Sequence, residues 1–316
     1  MRLALAGDTM LGRGVAERVA ADPTSLVASE VVAACREADA FLLNLECCIS
    51  DRGRPWPDPA KPFFFRAPPA AVETLVHLGV DCVTLANNHA LDYGDEALAD
   101  TLAHLDAAGI AHVGAGPDDA AARAPAVLET DGLRLAVVGL ADHPPAFAAG
   151  PGRPGIAYAD LREGVPAWVP EVIRNAEADV VLATPHWGPN MTPAPLPHVR
   201  EAAGALHGAG ADMVAGHSAH VFHGVRGPVL FDLGDFLDDY AVDPTLRNDL
   251  GLLWLVEIDA AGPRRLEAIP LALEYCSTRQ AEGEDALWVR RRFTEACAVM
   301  GTEVTAEAGR LVIVWR

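Results

Sequence analysis

Leu85-Ala86-Asn87-Asn88-His89-Ala90-Leu91-Asp92-Tyr93-Gly94 closes an apolar run that begins at Val80. The run ends abruptly in two amides, an imidazole and, three residues further on, a carboxylate. A strand that buries its body and releases polar groups at its carboxyl end is how an open α/β sheet presents chemistry. Four other stretches end the same way: Ala6-Gly7-Asp8, Leu43-Asn44-Leu45-Glu46, Thr184-Pro185-His186-Trp187-Gly188 and Gly216-His217-Ser218-Ala219-His220. These five ends are expected to converge on one metal site, with Asn88-His89 at its centre.

Working outward, short apolar runs alternate with longer amphipathic segments, the sign of α/β architecture. Strands are predicted over 2–6, 40–45, 80–86, 133–140, 179–184 and 212–215, and helices over 25–38, 69–78, 95–108, 168–176, 198–207 and 285–299. A β-rich part follows from about residue 229, within what reads as a single domain over 1–316. Pro69 and Pro170 suit first helical turns, and Gly79, Gly109 and Gly208 suit helix ends. Three irregular segments, 54–62, 142–154 and 185–197, follow strand ends and could wall a cleft.

The totals narrow the function. With 24 basic against 44 acidic residues, the formal charge is −20. That field repels nucleic acid and anionic membrane surfaces, so neither is expected as a partner. The amino end reads straight into a strand with no signal-like segment, and no apolar run is long enough to span a bilayer. The six cysteines form no CxxC pair and no disulfide spacing, which suits reduced thiols in a cytoplasmic protein.

Asp8, Glu46, Asn88, His89, His186, His217 and His220 form an oxygen-and-imidazole set suited to a divalent cation without cysteine. Each alone has a dull explanation, since most histidines are surface or satisfied core residues. Together, each at the end of an apolar run, they read as a site.

Gly7-Asp8-Thr9-Met10-Leu11-Gly12-Arg13, Asn44-Leu45-Glu46, Asn87-Asn88-His89-Ala90-Leu91-Asp92, His186-Trp187-Gly188, His217-Ser218-Ala219-His220 and Leu233-Gly234-Asp235-Phe236 resemble, in order, the motifs of the CapA family. That family takes its name from poly-γ-glutamate capsule synthesis, and its fold is that of the calcineurin-like metallophosphatases. The resemblance implies a four-layer α/β/β/α sandwich with the site at the strand carboxyl ends. It matches Asp8, Glu46, Asn88, His186, His217 and His220 to metal-binding positions, and His89 to a proton donor or charge stabiliser. Two departures stand out. Met10 replaces the histidine of the metallophosphatase Asp-x-His, and Glu46 replaces the bridging aspartate. They favour one cation over a two-metal clamp; calcium or manganese suits the set best, with zinc or iron as alternatives.

Histidines beside carboxylates can move protons. His89 and Asp92, three apart, form one expected pair; His220 forms another with Asp232 or Asp235, although both aspartates could instead cap a turn. Two pairs facing each other across a cation suit epimerisation α to a carbonyl. CapA-like proteins encoded with ribosomally made peptides, lasso peptides among them, include peptide epimerases, and this short acidic chain resembles those. The expected enzyme is therefore a metal-dependent peptide epimerase with His89, Asp92, His220 and Asp235 as proton carriers and Asp8, Glu46, Asn88, His186 and His217 as ligands. Arg13 is the candidate grip for a substrate carboxylate. Trp187 and the run Phe63-Phe64-Phe65 could wall a peptide side chain, with at least two of those phenylalanines expected in the core. Cys47-Cys48 is a further acid/base candidate, against the common fate of buried, inert thiols. The alternatives are a metallohydrolase acting on amide, γ-glutamyl or phosphoester bonds, and a non-catalytic binding protein. Oligomeric state is open.

Overall fold

The computed structural model describes residues 1–130 and 132–315. Alternation along its strands builds the layers. Leu3, Leu5, Leu42 and Cys82 point to one side of their sheet and meet Leu135, Val137, Leu182 and Met213 of a second sheet. Their neighbours Ala4, Ala6, Phe41, Leu43 and Val83 point to the other side, onto an outer layer of helices. A period of two thus assigns successive residues to two different cores.

The larger sheet has ten strands. At its centre strand Arg2–Thr9 runs parallel to Ala40–Leu45, which is followed by Cys82–Thr84 and Ala111–Val113, all parallel. On the other side of Arg2–Thr9 the long antiparallel hairpin Leu250–Asp259 and Gly262–Glu274 completes the sheet with Arg310–Val314. The second sheet has six strands, in which Val180–His186 lies parallel to both Leu133–Ala141 and Met213–Ala215.

Helices Arg13–Ala21, Ser29–Cys35, Ala71–Leu78 and Gly94–Ala108 cover the outer face of the larger sheet. Trp168–Arg174 and Pro197–Gly208 cover that of the second. The order is α/β/β/α, as expected. Helix Gly283–Val299 departs from the scheme: Val289, Phe293 and Cys297 wedge into the core between the sheets, with Phe293 edge-on to the fully buried Trp254 at 5.4 Å.

Predicted elements recur with shifted ends. The helix expected over 25–38 forms only at Ser29–Cys35, and the strand expected over 80–86 only at Cys82–Thr84. Helix Arg13–Ala21 and strand Ala126–Thr130 were not anticipated. Gly79 and Gly109 do end helices, both left-handed at φ 80° and 72°. No helix among the described residues is long and apolar enough to cross a membrane.

Candidate active site

Asp8 stands near the end of the central strand because two glycines let backbones meet there. A Cβ at Gly7 would lie 1.7 Å from the carbonyl oxygen of Gly234. That same oxygen accepts from Asp8 N at 2.9 Å. The contact brings strand Asp235–Leu237 alongside Arg2–Thr9, with Asp8 and Asp235 in register. Glu46 follows strand Ala40–Leu45, His186 ends Val180–His186, and the turn holding His217 and His220 follows Met213–Ala215. In that turn Ser218 and His220 adopt φ of 109° and 59°. Non-glycine residues hold such angles at a cost, a pattern concentrated at functional sites.

Ligand atoms of Asp8, Glu46 and His186 come within 4.8 Å of one another, as do those of Asp8, His220 and Asp235. All five residues are buried. His217 Nδ1 lies 3.4 Å from Asp8 Oδ1, and His186 Nε2 lies 4.0 Å from Glu46 Oε1. The test of fit for a cation is what these atoms do otherwise. Asp8 Oδ2, Glu46 Oε1, Asn88 Oδ1, His186 Nε2 and His217 Nδ1 are all buried without a hydrogen-bond partner. Buried orphans of this kind are costly; others occur elsewhere in the chain, but here all five residues proposed as ligands contribute one. Other atoms of three of these side chains are held. Asn44 Nδ2 donates to Asp8 Oδ1 at 2.8 Å, Tyr240 Oη donates to Glu46 Oε2 at 3.2 Å, and Thr184 Oγ1 pairs with His217 Nε2 at 3.0 Å. Outer partners that orient ligands while leaving one atom free are what a metal site requires. The residues fit a divalent cation.

Electrostatics agree. Burial alone would raise Asp8, but the imidazoles of His217 and His220 outweigh it and hold the carboxyl well below its usual range. Burial, reinforced by the Asp8 charge, pushes Glu46 well up, and burial pushes His186 well down. A carboxylate, a second carboxyl that burial and its neighbour's charge hold protonated, and a desolvated imidazole are the groups a positive charge placed among them would relieve.

Two histidine–carboxylate pairs flank this group. His89 Nδ1 lies 2.6 Å from Asp92 Oδ2, and His220 Nδ1 lies 2.8 Å from Asp235 Oδ1 and 3.3 Å from Asp8 Oδ2. Their shifts run in opposite directions. Burial outweighs Asp92 and pushes His89 down to about 4, so its imidazole is neutral at pH 7. For His220 the desolvation cost is overcome by Asp235 and Glu46, which hold it well above the usual range; burial pushes Asp235 well up as well. Asp232 takes the other reading: it caps a turn, accepting from Ala219 N at 2.8 Å and Gly234 N at 2.9 Å.

Both histidines line one cavity of about 260 Å³, with Arg13, Phe63, Phe65 and Tyr240 among its walls. Arg13 pairs with Asp239 at 3.1 Å, and its guanidinium lies over Phe63, Phe65 and Tyr240 at 5.6–6.0 Å. Phe65 stacks on His89 at 4.0 Å. Of the three phenylalanines only Phe65 is buried, where two were expected; Phe63 is 56% exposed at the cavity rim. A second cavity of about 430 Å³ is lined by Asn88, Asp142, His143, Asn190 and His198. Two of the three irregular segments wall the cleft, supplying His143 and Asn190, while 54–62 contributes Lys61 on the backbone of Asn88.

Two expectations for the site, Trp187 as a substrate wall and Cys47 as a reactive group within it, are corrected. Trp187 faces away: one residue past His186, the alternation turns it into the outer core, where its Nε1 donates to Phe231 O at 2.9 Å. Cys47 is fully buried in the apolar layer beneath the first helices, and burial pushes its thiol well up, so it is inert. Cys48 is buried too, its Sγ donating to Phe65 O at 3.4 Å.

Several contributors escaped notice in the sequence. Asn87 Nδ2 donates to Asn44 Oδ1 and Leu45 O, and its Oδ1 accepts from His89 N, linking the two strand ends. Lys61 Nζ donates to Asn88 O at 2.8 Å and pairs with Asp92 Oδ1 at 2.8 Å. It is the only lysine in the chain, a signal that was available.

Residues 2–240 match the family of the bacterial capsule synthesis protein PGA_cap. The chain belongs to this family. The CapA-type protein is 33% identical over 296 residues to a probable polyglutamine synthesis accessory protein of Mycobacterium tuberculosis, covering 87% of this chain and 76% of the relative. It is 28% identical over 290 residues to the capsule biosynthesis protein CapA of Bacillus anthracis, covering 87% and 68%. A solved phosphatase of Mycoplasma pneumoniae superposes with a TM-score of 0.52 at 13% identity, covering 86% and 93%. The fold of this CapA-type chain is thus of the metallophosphatase type.

Proposed function

We propose that this CapA-type protein is a metal-dependent peptide epimerase that inverts an α-carbon near a free carboxyl end. The observation that carries the reading is that two histidine–carboxylate pairs open into one cavity beside a cation-ready group. Asp8, Glu46, Asn88, His186 and His217 would hold the ion. When bound it supplies positive charge to offset the enolate-like oxygen of the reacting residue.

The chain's own residues do the rest. Arg13 grips the carboxylate through its planar fork, and Phe63, Phe65 and Tyr240 accommodate an apolar side chain. Neutral His89, its Nδ1–H held by Asp92, takes the α-proton at Nε2, and the C–H electron pair moves into the adjacent carbonyl. The His220 imidazolium returns a proton to the opposite face. The residues then exchange protons with water, so neither oxidant nor reductant is consumed.

Incubation of the metal-loaded protein with a peptide in heavy water tests this. One deuterium gained at constant chain length is expected; two fragments, or no exchange with any peptide, would sink it. Hydrolysis is the second reading, favoured by the two groups of candidate ligand atoms that share Asp8, which could seat paired ions. Brisk manganese-dependent turnover of phosphate esters would select it.

A further inference from the structure

Asn190 lines both cavities. Its Nδ2 lies 3.1 Å from His220 Nε2, the ring nitrogen left over once Asp235 has taken Nδ1. The atom that would deliver a proton into the first cavity is therefore covered by an amide. An amide can present either end to an imidazole, so it satisfies the ring in either charge state. Asn190 is exposed and sits in the irregular segment between strand Val180–His186 and helix Pro197–Gly208. The backbone of that segment is pinned, Met191 N to Ala219 O and Ser218 Oγ to Gly188 O, while the Asn190 side chain has no other partner among the described residues.

The second cavity is built as carefully as the first. Asp142 is buried, accepts from Gly188 N at 2.9 Å and lies 2.5 Å from His143 Nδ1. His198 Nε2 stands 3.9 Å from the same carboxylate. With Nδ1 held, Nε2 is the open nitrogen of His143, an acceptor for N–H groups when the ring is neutral. The His143 ring lies 5.2 Å from that of His186, so this cavity, like the first, abuts the ligand group.

We propose that the two cavities are halves of one substrate cleft divided by Asn190. The substrate is an extended chain long enough to lie on both sides, and its arrival displaces the Asn190 amide from His220. The first half takes a carboxylate and an apolar side chain; the second takes backbone N–H groups, received by His143 with Asp142 behind it. Naming a peptide as that chain rests on the epimerase reading above. Asn190 acts as a positioning residue that keeps His220 capped until the substrate spans the cleft, which also keeps a shorter ligand from being processed.

The test uses metal-loaded protein and two probes, Ala-Ala-Phe and a hexapeptide of five alanines and a terminal phenylalanine, each with a free carboxylate. Binding is read by calorimetry and deuterium uptake in parallel. The hexapeptide should bind at least about tenfold more tightly, the worth of one or two hydrogen bonds. His143→Gln should remove that advantage while leaving tripeptide affinity and metal content unchanged. In protein carrying ¹⁵N-histidine, Asn190→Ala should shift the His220 Nε2 signal, and the hexapeptide, but not the tripeptide, should shift it likewise in the unaltered protein. Equal binding of the two probes, including binding of neither, overturns the proposal. So does an equal loss of both in His143→Gln, or a His220 signal indifferent to Asn190. Length-dependent binding without deuterium uptake would instead sink the epimerase reading and leave the divided cleft standing.

Discussion

The carboxylate of Asp92 is shared between His89 and Lys61, with Nδ1 of the one at 2.6 Å from Oδ2 and Nζ of the other at 2.8 Å from Oδ1. Phe65 N completes the set, donating to Oδ2 at 2.6 Å. Burial, with the nearby Lys61 charge adding to it, keeps His89 from being driven to protonate while Asp92 orients it. A neutral imidazole with a defined tautomer and one open nitrogen is the form a general base needs.

Asp92→Asn should therefore abolish proton transfer while sparing the ion. The amide presents a donor as readily as an acceptor to His89 Nδ1, and the wrong tautomer follows. Deuterium uptake should fall by about 10²–10⁴-fold, with metal content unchanged by elemental analysis. Loss of the metal would refute the assignment of Asp92 to proton chemistry.

Lys61→Met leaves the Asp92 carboxylate buried with its cation gone. Unfolding in denaturant should show a loss of about 3 kcal/mol, typical of breaking a buried pair on one side. The activity profile should also move. His89 acts only when neutral, so activity fades as pH falls toward about 4. Removing the Lys61 charge, which disfavours the imidazolium, shifts that acid limb upward. Lys61→Arg should not restore the profile, because a planar guanidinium does not fit between Asn88 O and Asp92 as a compact ammonium does.

Glu46→Gln should lower metal occupancy, since it removes charge from an oxygen with no other partner. In the unaltered protein a chelator should lower Tm, because Asp8 and Glu46 are then left facing each other; in Glu46→Gln it should have little effect. Equal chelator responses would argue that no resident ion sits there.

His223 offers a check on stability rather than on proton transfer. It is buried, its Nε2 bonded to Thr192 O at 2.8 Å, and burial pushes it from 6.5 down to about 4. Between those values the unfolded chain binds the proton and the folded one does not, so stability falls as pH drops through this window. The slope is about 1.4 kcal/mol per pH unit for one such group. His223→Gln should flatten denaturation-derived stability between pH 6.5 and 4 relative to the unaltered protein; an unchanged slope would show that His223 protonates freely in the native state.

The strand ends were legible because burial and chemistry change abruptly there. Val80 to Leu85 is apolar and Asn87 to His89 is not, and the same step recurs before Asp8, Glu46, His186 and His217. The alternation of short apolar runs with amphipathic segments likewise announced an α/β architecture, and the family resemblance implied the sandwich. Where the period-two alternation of side chains runs past a strand end the sequence misled: Trp187 was grouped with its neighbour His186, yet consecutive residues face opposite ways.

By itself, then, the sequence determined the α/β class, the family with the layering it implies, and the inventory of ligating groups, since these depend on local periodicity, motifs and residue types carried at strand ends. Only the tertiary structure decided which carboxylate serves which histidine. Asp235 rather than Asp232 reaches His220 because the Gly7–Gly234 contact sets Asp235 beside Asp8, and Lys61 reaches Asp92 from a proline-rich loop of no evident periodicity. The opposite shifts of His89 and His220 arise the same way. Both are buried imidazoles with a carboxylate at Nδ1. What separates them is the next charge, Lys61 beside one pair and Asp8 and Glu46 beside the other, and those neighbours come from distant parts of the chain.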